Sequence, residues 1–104
     1  MEMKEAQKLY KKALELKGEL SQILICIEEM GELNQALIKY VRNEGYEKVV
    51  LKDKIIEELA DVQIMVEQLV VSFNIKDEFE LERARKLERL KKRLEIMENK
   101  DNGH

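Results

Sequence analysis

No proline occurs anywhere in the 104 residues, and only four glycines do. Proline removes a backbone donor and clashes with the preceding turn, and glycine loosens a helix, so a chain nearly free of both is suited to long helices joined by short connections. The apolar residues keep helical time. Met3, Ala6, Tyr10 and Ala13 fall three or four apart, and Gly18 offers a stop. Four helices are predicted. The first covers roughly Glu2 to Lys17, and the second runs from about Glu19 to Val41, closed by Asn43 and Gly45. The third carries "KIIEELADVQIMVEQLVVSF", begins between Tyr46 and Asp53 and breaks at Asn74. The fourth opens at Asp77, with Glu80 three residues on as in a capping box, and continues to about Glu98. The expected fold is all-α, with residues 1–98 forming one helical domain and 99–104 a frayed tail. Strands have little support.

At this length only about two-thirds of the unfolded surface is buried on folding, so a self-association surface would help the chain and an oligomer is expected. The net charge of −3 gives no general attraction for nucleic acid. A single cysteine, Cys26, excludes an intramolecular disulfide framework, and "MEMKEAQKLY" has no apolar stretch of signal or membrane-spanning type. The default expectation is a soluble, cytoplasmic protein that engages neither nucleic acid nor membrane.

Against that background one stretch stands out. In "ICIEEMGELNQAL" the helix Ile25–Leu37 carries Glu28, Glu29 and Glu32. Positions three and four apart are neighbours on a helix, so Glu29/Glu32 and Glu28/Glu32 are like-charge pairs costing a few tenths of a kcal/mol each. Turning about 100° per residue places Glu29 between Ile25, Cys26, Leu33 and Ala36, on the apolar side. "IIEELADV" repeats the arrangement with Glu57, Glu58 and Asp61, which fall on the shoulder of the third helix's buried stripe. Side by side, the two helices could gather four carboxylates. Unit charges about 4 Å apart repel by roughly 4 kcal/mol at an effective dielectric of 20, and a hard divalent cation would remove that cost. Oxygen ligands with no histidine or thiolate among them suit Mg²⁺ or Mn²⁺ better than Zn²⁺.

Glu29-x-x-Glu32, followed after 25 intervening residues by Glu58-x-x-Asp61, resembles the E-x-x-E…E-x-x-D signature of the MazG-like, all-α nucleoside triphosphate pyrophosphohydrolases. "EEMGEL" and "EELADV" are similar to that family's EExGEL and EELxDv, and the resemblance covers roughly residues 20 to 95. It implies a four-helix subunit that forms a homodimer or homotetramer. It also implies Mg²⁺ held by Glu29, Glu32, Glu58 and Asp61, and hydrolysis of a nucleoside triphosphate to the monophosphate and pyrophosphate. Glu28 and Glu57 are the candidates to orient the metal-bound water or accept its proton. Lys54 matches a family lysine position, and "RKLERL" resembles a K-F-x-R-type segment with leucines in place of aromatics, which makes Lys86 and Arg89 candidate phosphate contacts. A house-cleaning role on the nucleotide pool is part of the same implication.

Other readings compete. Lys86 and Arg89 could belong to an exposed helix laced by Glu82/Lys86 and Glu88/Lys92 pairs. Cys26 fits a small core residue, and with His104 in the tail as the only histidine, neither a cysteine nucleophile nor a di-iron Glu-x-x-His site is expected. Leu87, Leu90, Leu94 and Met97 form a narrow seam for core or subunit contact, and Tyr10 and Tyr40 read as packing residues. A non-catalytic helical oligomerisation or adaptor module is the main alternative, though it gives acids on packing faces no purpose.

Overall fold

A computed structural model describes residues 1–42 and 47–102, and within them every regular element is an α-helix. Helix α1 spans Met3–Lys17, α2 Glu19–Arg42, α3 Lys48–Ser72 and α4 Lys76–Asn102. The chain divides into two units, Met1–Asn74 with the first three helices and a second from Ile75 onward that holds α4.

The boundaries follow local chemistry. Gly18 has φ 85° and ψ 160°, a region closed to residues with a Cβ, and its N–H donates to the Leu14 carbonyl at 2.8 Å. It is the one residue between α1 and α2. Asn74 ends the α3 region in the left-handed conformation, φ 54°, its N–H donating to the Val71 carbonyl at 3.1 Å. Two expectations shift. Asp77 lies inside the first turn of α4 and not at its cap, since the Phe79 N–H already donates to the Ile75 carbonyl at 2.9 Å. Asp77 therefore acts on the helix dipole and does not form the capping box with Glu80. The fourth helix also continues to Asn102, a turn beyond Glu98. The expected turn at Asn43 and Gly45 and the last residues of the tail, 103–104, lie outside the described residues.

In the first unit α3 is the shared element, packing along α2 and also against α1. Helices α2 and α3 run antiparallel: Tyr40 meets Lys48 beside their connection, with the ammonium 4.7 Å from the ring centre, while Glu29 meets Glu58 further along both helices. The buried positions recur every seven residues on α3, Leu51, Glu58 and Met65, and include Gln22, Cys26 and Ala36 on α2. Among the described residues only Cys26, Ala36, Leu51 and Met65 are buried apolar side chains. Large apolar side chains remain exposed in lines on the opposite faces, Leu20, Leu24, Ile27 and Ile38 on α2 and Val49, Ile56 and Leu59 on α3. Cys26 is a free, buried thiol, as a small core residue should be. No described helix is long and apolar enough to cross a membrane.

In the second unit, α4 carries Leu87, Leu90, Leu94 and Met97 as a half-exposed apolar seam. Its first half is laced by the Arg85–Glu82 ion pair and by Lys86, 4.0 Å from the same carboxylate. The anticipated Glu88–Lys92 pair does not form.

Candidate metal centre

Carboxylate oxygens of Glu29 and Glu32 from α2 and of Glu58 from α3 lie within 4.8 Å of one another. The i, i+3 spacing puts both α2 acids on the side that meets α3, and the antiparallel packing brings Glu58 level with them. Asp61, one turn on from Glu58, adds its negative charge to those bearing on Glu29. All four acids of the two motifs thus act on one locality. Their surroundings differ: Asp61 and Glu32 are exposed, Glu29 is half-buried, and Glu58 is only 2% exposed. Glu58 therefore lies on the central line of α3 between Leu51 and Met65, not on its shoulder.

A carboxylate in such a place needs compensation, because burying an unpaired charge is among the costliest things a fold can do. Part of it is supplied locally. The Lys54 ammonium, one turn before Glu58, sits 3.0 Å from Glu58 Oε1 and 4.0 Å from Glu57 Oε2. Its hydrogen bond to Glu58, reinforced by the Glu58, Glu57 and Glu32 charges, raises the Lys54 pKa and keeps it protonated. The compensation is incomplete, for Oε2 of Glu58 and Oε2 of Glu29 are buried with no hydrogen-bond partner. Desolvation, followed by the charges of Glu32, Asp61 and Glu58, pushes the Glu29 carboxyl above its usual range.

These residues fit a hard divalent cation: oxygen donors only, several of them anionic, two with orphaned buried lone pairs, and no histidine or thiolate among them. Glu28 and Glu57, the motif acids not drawn into the cluster, are both exposed beside it, Glu57 within reach of Lys54. Lys86 and Arg89 lie on α4, in the other unit, where Lys86 approaches Glu82 and the Arg89 charge also bears on that carboxylate.

Two polar contacts were not foreseen from the sequence. Gln22 is 1% exposed, its Nε2 donates to the Ala13 carbonyl at 3.3 Å, and its Oε1 has no partner. Its position seven residues before Glu29 and four before Cys26 was the available signal. Tyr10, expected as a packing residue, donates its hydroxyl to Glu67 Oε2 at 3.2 Å and so ties α1 to α3. Burial and then the Glu67 charge raise the Tyr10 pKa.

Comparison of the chain with known protein families, with curated proteins and with solved structures gave no match.

Proposed function

We propose that the chain is a Mg²⁺-dependent nucleoside triphosphate pyrophosphohydrolase of the MazG-like, all-α type, acting as a homodimer or homotetramer on ribo- or deoxyribonucleoside triphosphates. One observation carries the reading: three acids from two helices converge within 4.8 Å around a buried Glu58 whose second oxygen has no partner. Solvated surface glutamates have no reason to be gathered in this way. Glu29, Glu32, Glu58 and Asp61 would hold the metal, with Mn²⁺ able to replace Mg²⁺. Bound there, the cation supplies neutralisation of the polyphosphate and acidification of a water.

The remaining steps belong to side chains. The water oxygen attacks the α-phosphorus, the bridging bond to the β-phosphate breaks, and pyrophosphate leaves. Glu28 or Glu57, exposed beside the cluster, accepts the water's proton. Lys54 grips a phosphate oxygen, and Lys86 and Arg89 add positive charge in the assembled protein. The product is a nucleoside monophosphate, consistent with a house-cleaning role.

Release of pyrophosphate from a panel of standard and modified nucleoside triphosphates, with Mg²⁺ and with chelator, tests the reading. Metal-dependent turnover is expected. Absence of turnover on every nucleotide would favour a helical oligomerisation or adaptor module, a reading supported by the half-exposed seam of Leu87, Leu90 and Leu94.

A further inference from the structure

We propose that Lys54 is the chain's own stand-in for the metal: its ammonium neutralises Glu58 while no cation is bound, gives up that carboxylate when a divalent cation arrives, and only then becomes available to phosphate. The inference rests on the metal-site reading above and concerns how that site is loaded.

The geometry sets up the exchange. Glu58 is 2% exposed and needs a counter-charge; its Oε1 takes the Lys54 ammonium at 3.0 Å while Oε2 has none. A cation held by Glu58, Glu29 and Glu32, whose oxygens lie within 4.8 Å, would put a second positive charge on the carboxylate that already pairs with Lys54. Two cations on one buried carboxylate repel strongly, and the divalent ion satisfies three acids where the ammonium satisfies mainly one. Lys54 is the partner able to move. Its side chain is 60% exposed, and its flexible stem can carry the charge into water at little cost, whereas Glu58 is fixed in the packing between the helices.

The consequence is ordered loading. While Lys54 is held by Glu58, a polyphosphate arriving at a metal-free site meets a cluster of acids with its nearest cation engaged. Once the metal is in place, the same lysine is free and the acids are neutralised, so metal and phosphate bind with positive coupling.

The test uses the full chain, Mg²⁺ and inorganic pyrophosphate. In the metal-free wild type, the ¹⁵N resonance of the Lys54 ammonium should be visible as a slowly exchanging, paired group, identified by its absence in Lys54→Met. It should be lost to solvent exchange on saturation with Mg²⁺ and return, shifted, when pyrophosphate is added. By calorimetry, Lys54→Met should bind Mg²⁺ roughly fivefold or more tightly than wild type, as expected when a competing ion pair is removed. Lys52→Met removes an equal charge from a lysine that has no ion pair with Glu58 and should change affinity by less than about twofold. A Lys54 resonance unmoved by Mg²⁺, or equal effects of the two substitutions, would overturn the exchange while leaving the metal site standing. If neither wild type nor Lys54→Met binds Mg²⁺, the metal reading falls and the exchange with it. Should Lys54→Met not fold, the response of the wild-type resonance, assigned instead from Lys54→Arg, decides alone.

Discussion

Glu32 and Asp61 are exposed, yet their charges fall on a half-buried Glu29, so neutralising either should relieve the metal-free protein. Glu32→Gln and Asp61→Asn are expected to be at least as stable as wild type in chelator and to lose turnover. In excess Mg²⁺ the ranking should reverse, since a ligand bound only to the folded state contributes about 2.7 kcal/mol at a hundred times its dissociation constant. Melting curves of the three proteins in chelator and in Mg²⁺ check this; equal metal-driven shifts in all of them would count against a carboxylate site. The Glu29 proton gives a second expectation. Its carboxyl is raised in the folded state by desolvation and then by Glu32, Asp61 and Glu58, with Lys54 the opposing charge on Glu58. The folded chain therefore holds that proton more tightly than the unfolded chain, and this contribution favours folding at low pH. It is lost as pH rises from the ordinary carboxylate range through the raised value. Melting temperature in chelator, followed across that window, should fall more steeply with pH in wild type than in Glu29→Gln, and parallel profiles would contradict it.

Between consecutive helices the decisive residue is Gly18. An added Cβ there would meet no atom within 4 Å, so the cost of Gly18→Ala is purely that of φ 85°, ψ 160°. That backbone region is nearly reserved for glycine, and a loss of about 1–3 kcal/mol is expected, read as a lower denaturation midpoint with unchanged denaturant slope. Gly18 was legible in the sequence because a lone glycine after an amphipathic run marks a stop. So were all four helices, since neither proline nor a β-type alternation competed with the helical period. Less was legible where two signals overlapped. Asp77 and Glu80 match a capping box by spacing alone, but Ile75 already supplies the carbonyl that starts the ladder. The convergence of Glu29, Glu32 and Glu58 was readable as a repeated motif on two apolar faces. The depth of Glu58 was not, because a helical wheel gives the direction of a side chain and not what the neighbouring helix places over it. Gln22 escaped for the same reason: an amide on an apolar face looks like a surface residue until Ala13 is seen accepting from it.

At the scale of the molecule, the imbalance between core and surface governs. Four buried apolar side chains among the described residues are few, while Leu20, Leu24, Ile27 and Ile38 line one exposed face of α2. This is the face on which the proposed oligomer is expected to associate, and it lies on the opposite side of α2 from Glu29. A charge placed in it, as in Leu24→Glu or Ile27→Glu, should shift sedimentation toward the monomer and reduce turnover without touching any proposed metal ligand. An oligomer indifferent to both substitutions would place the interface elsewhere.

The acids on the helix-packing line have one more effect. Because the α3 line repeats every seven residues, Leu51, Glu58, Met65, sliding α3 along α2 by two turns would preserve the periodicity while setting Glu58 against apolar neighbours. Such a slip carries Lys54 along with Glu58 but parts Glu58 from Glu29 and Glu32. With a cation seated among them, the carboxylates that weaken the core would thus also act as a vernier, since only in the observed alignment do acids of both helices lie within reach of one ion.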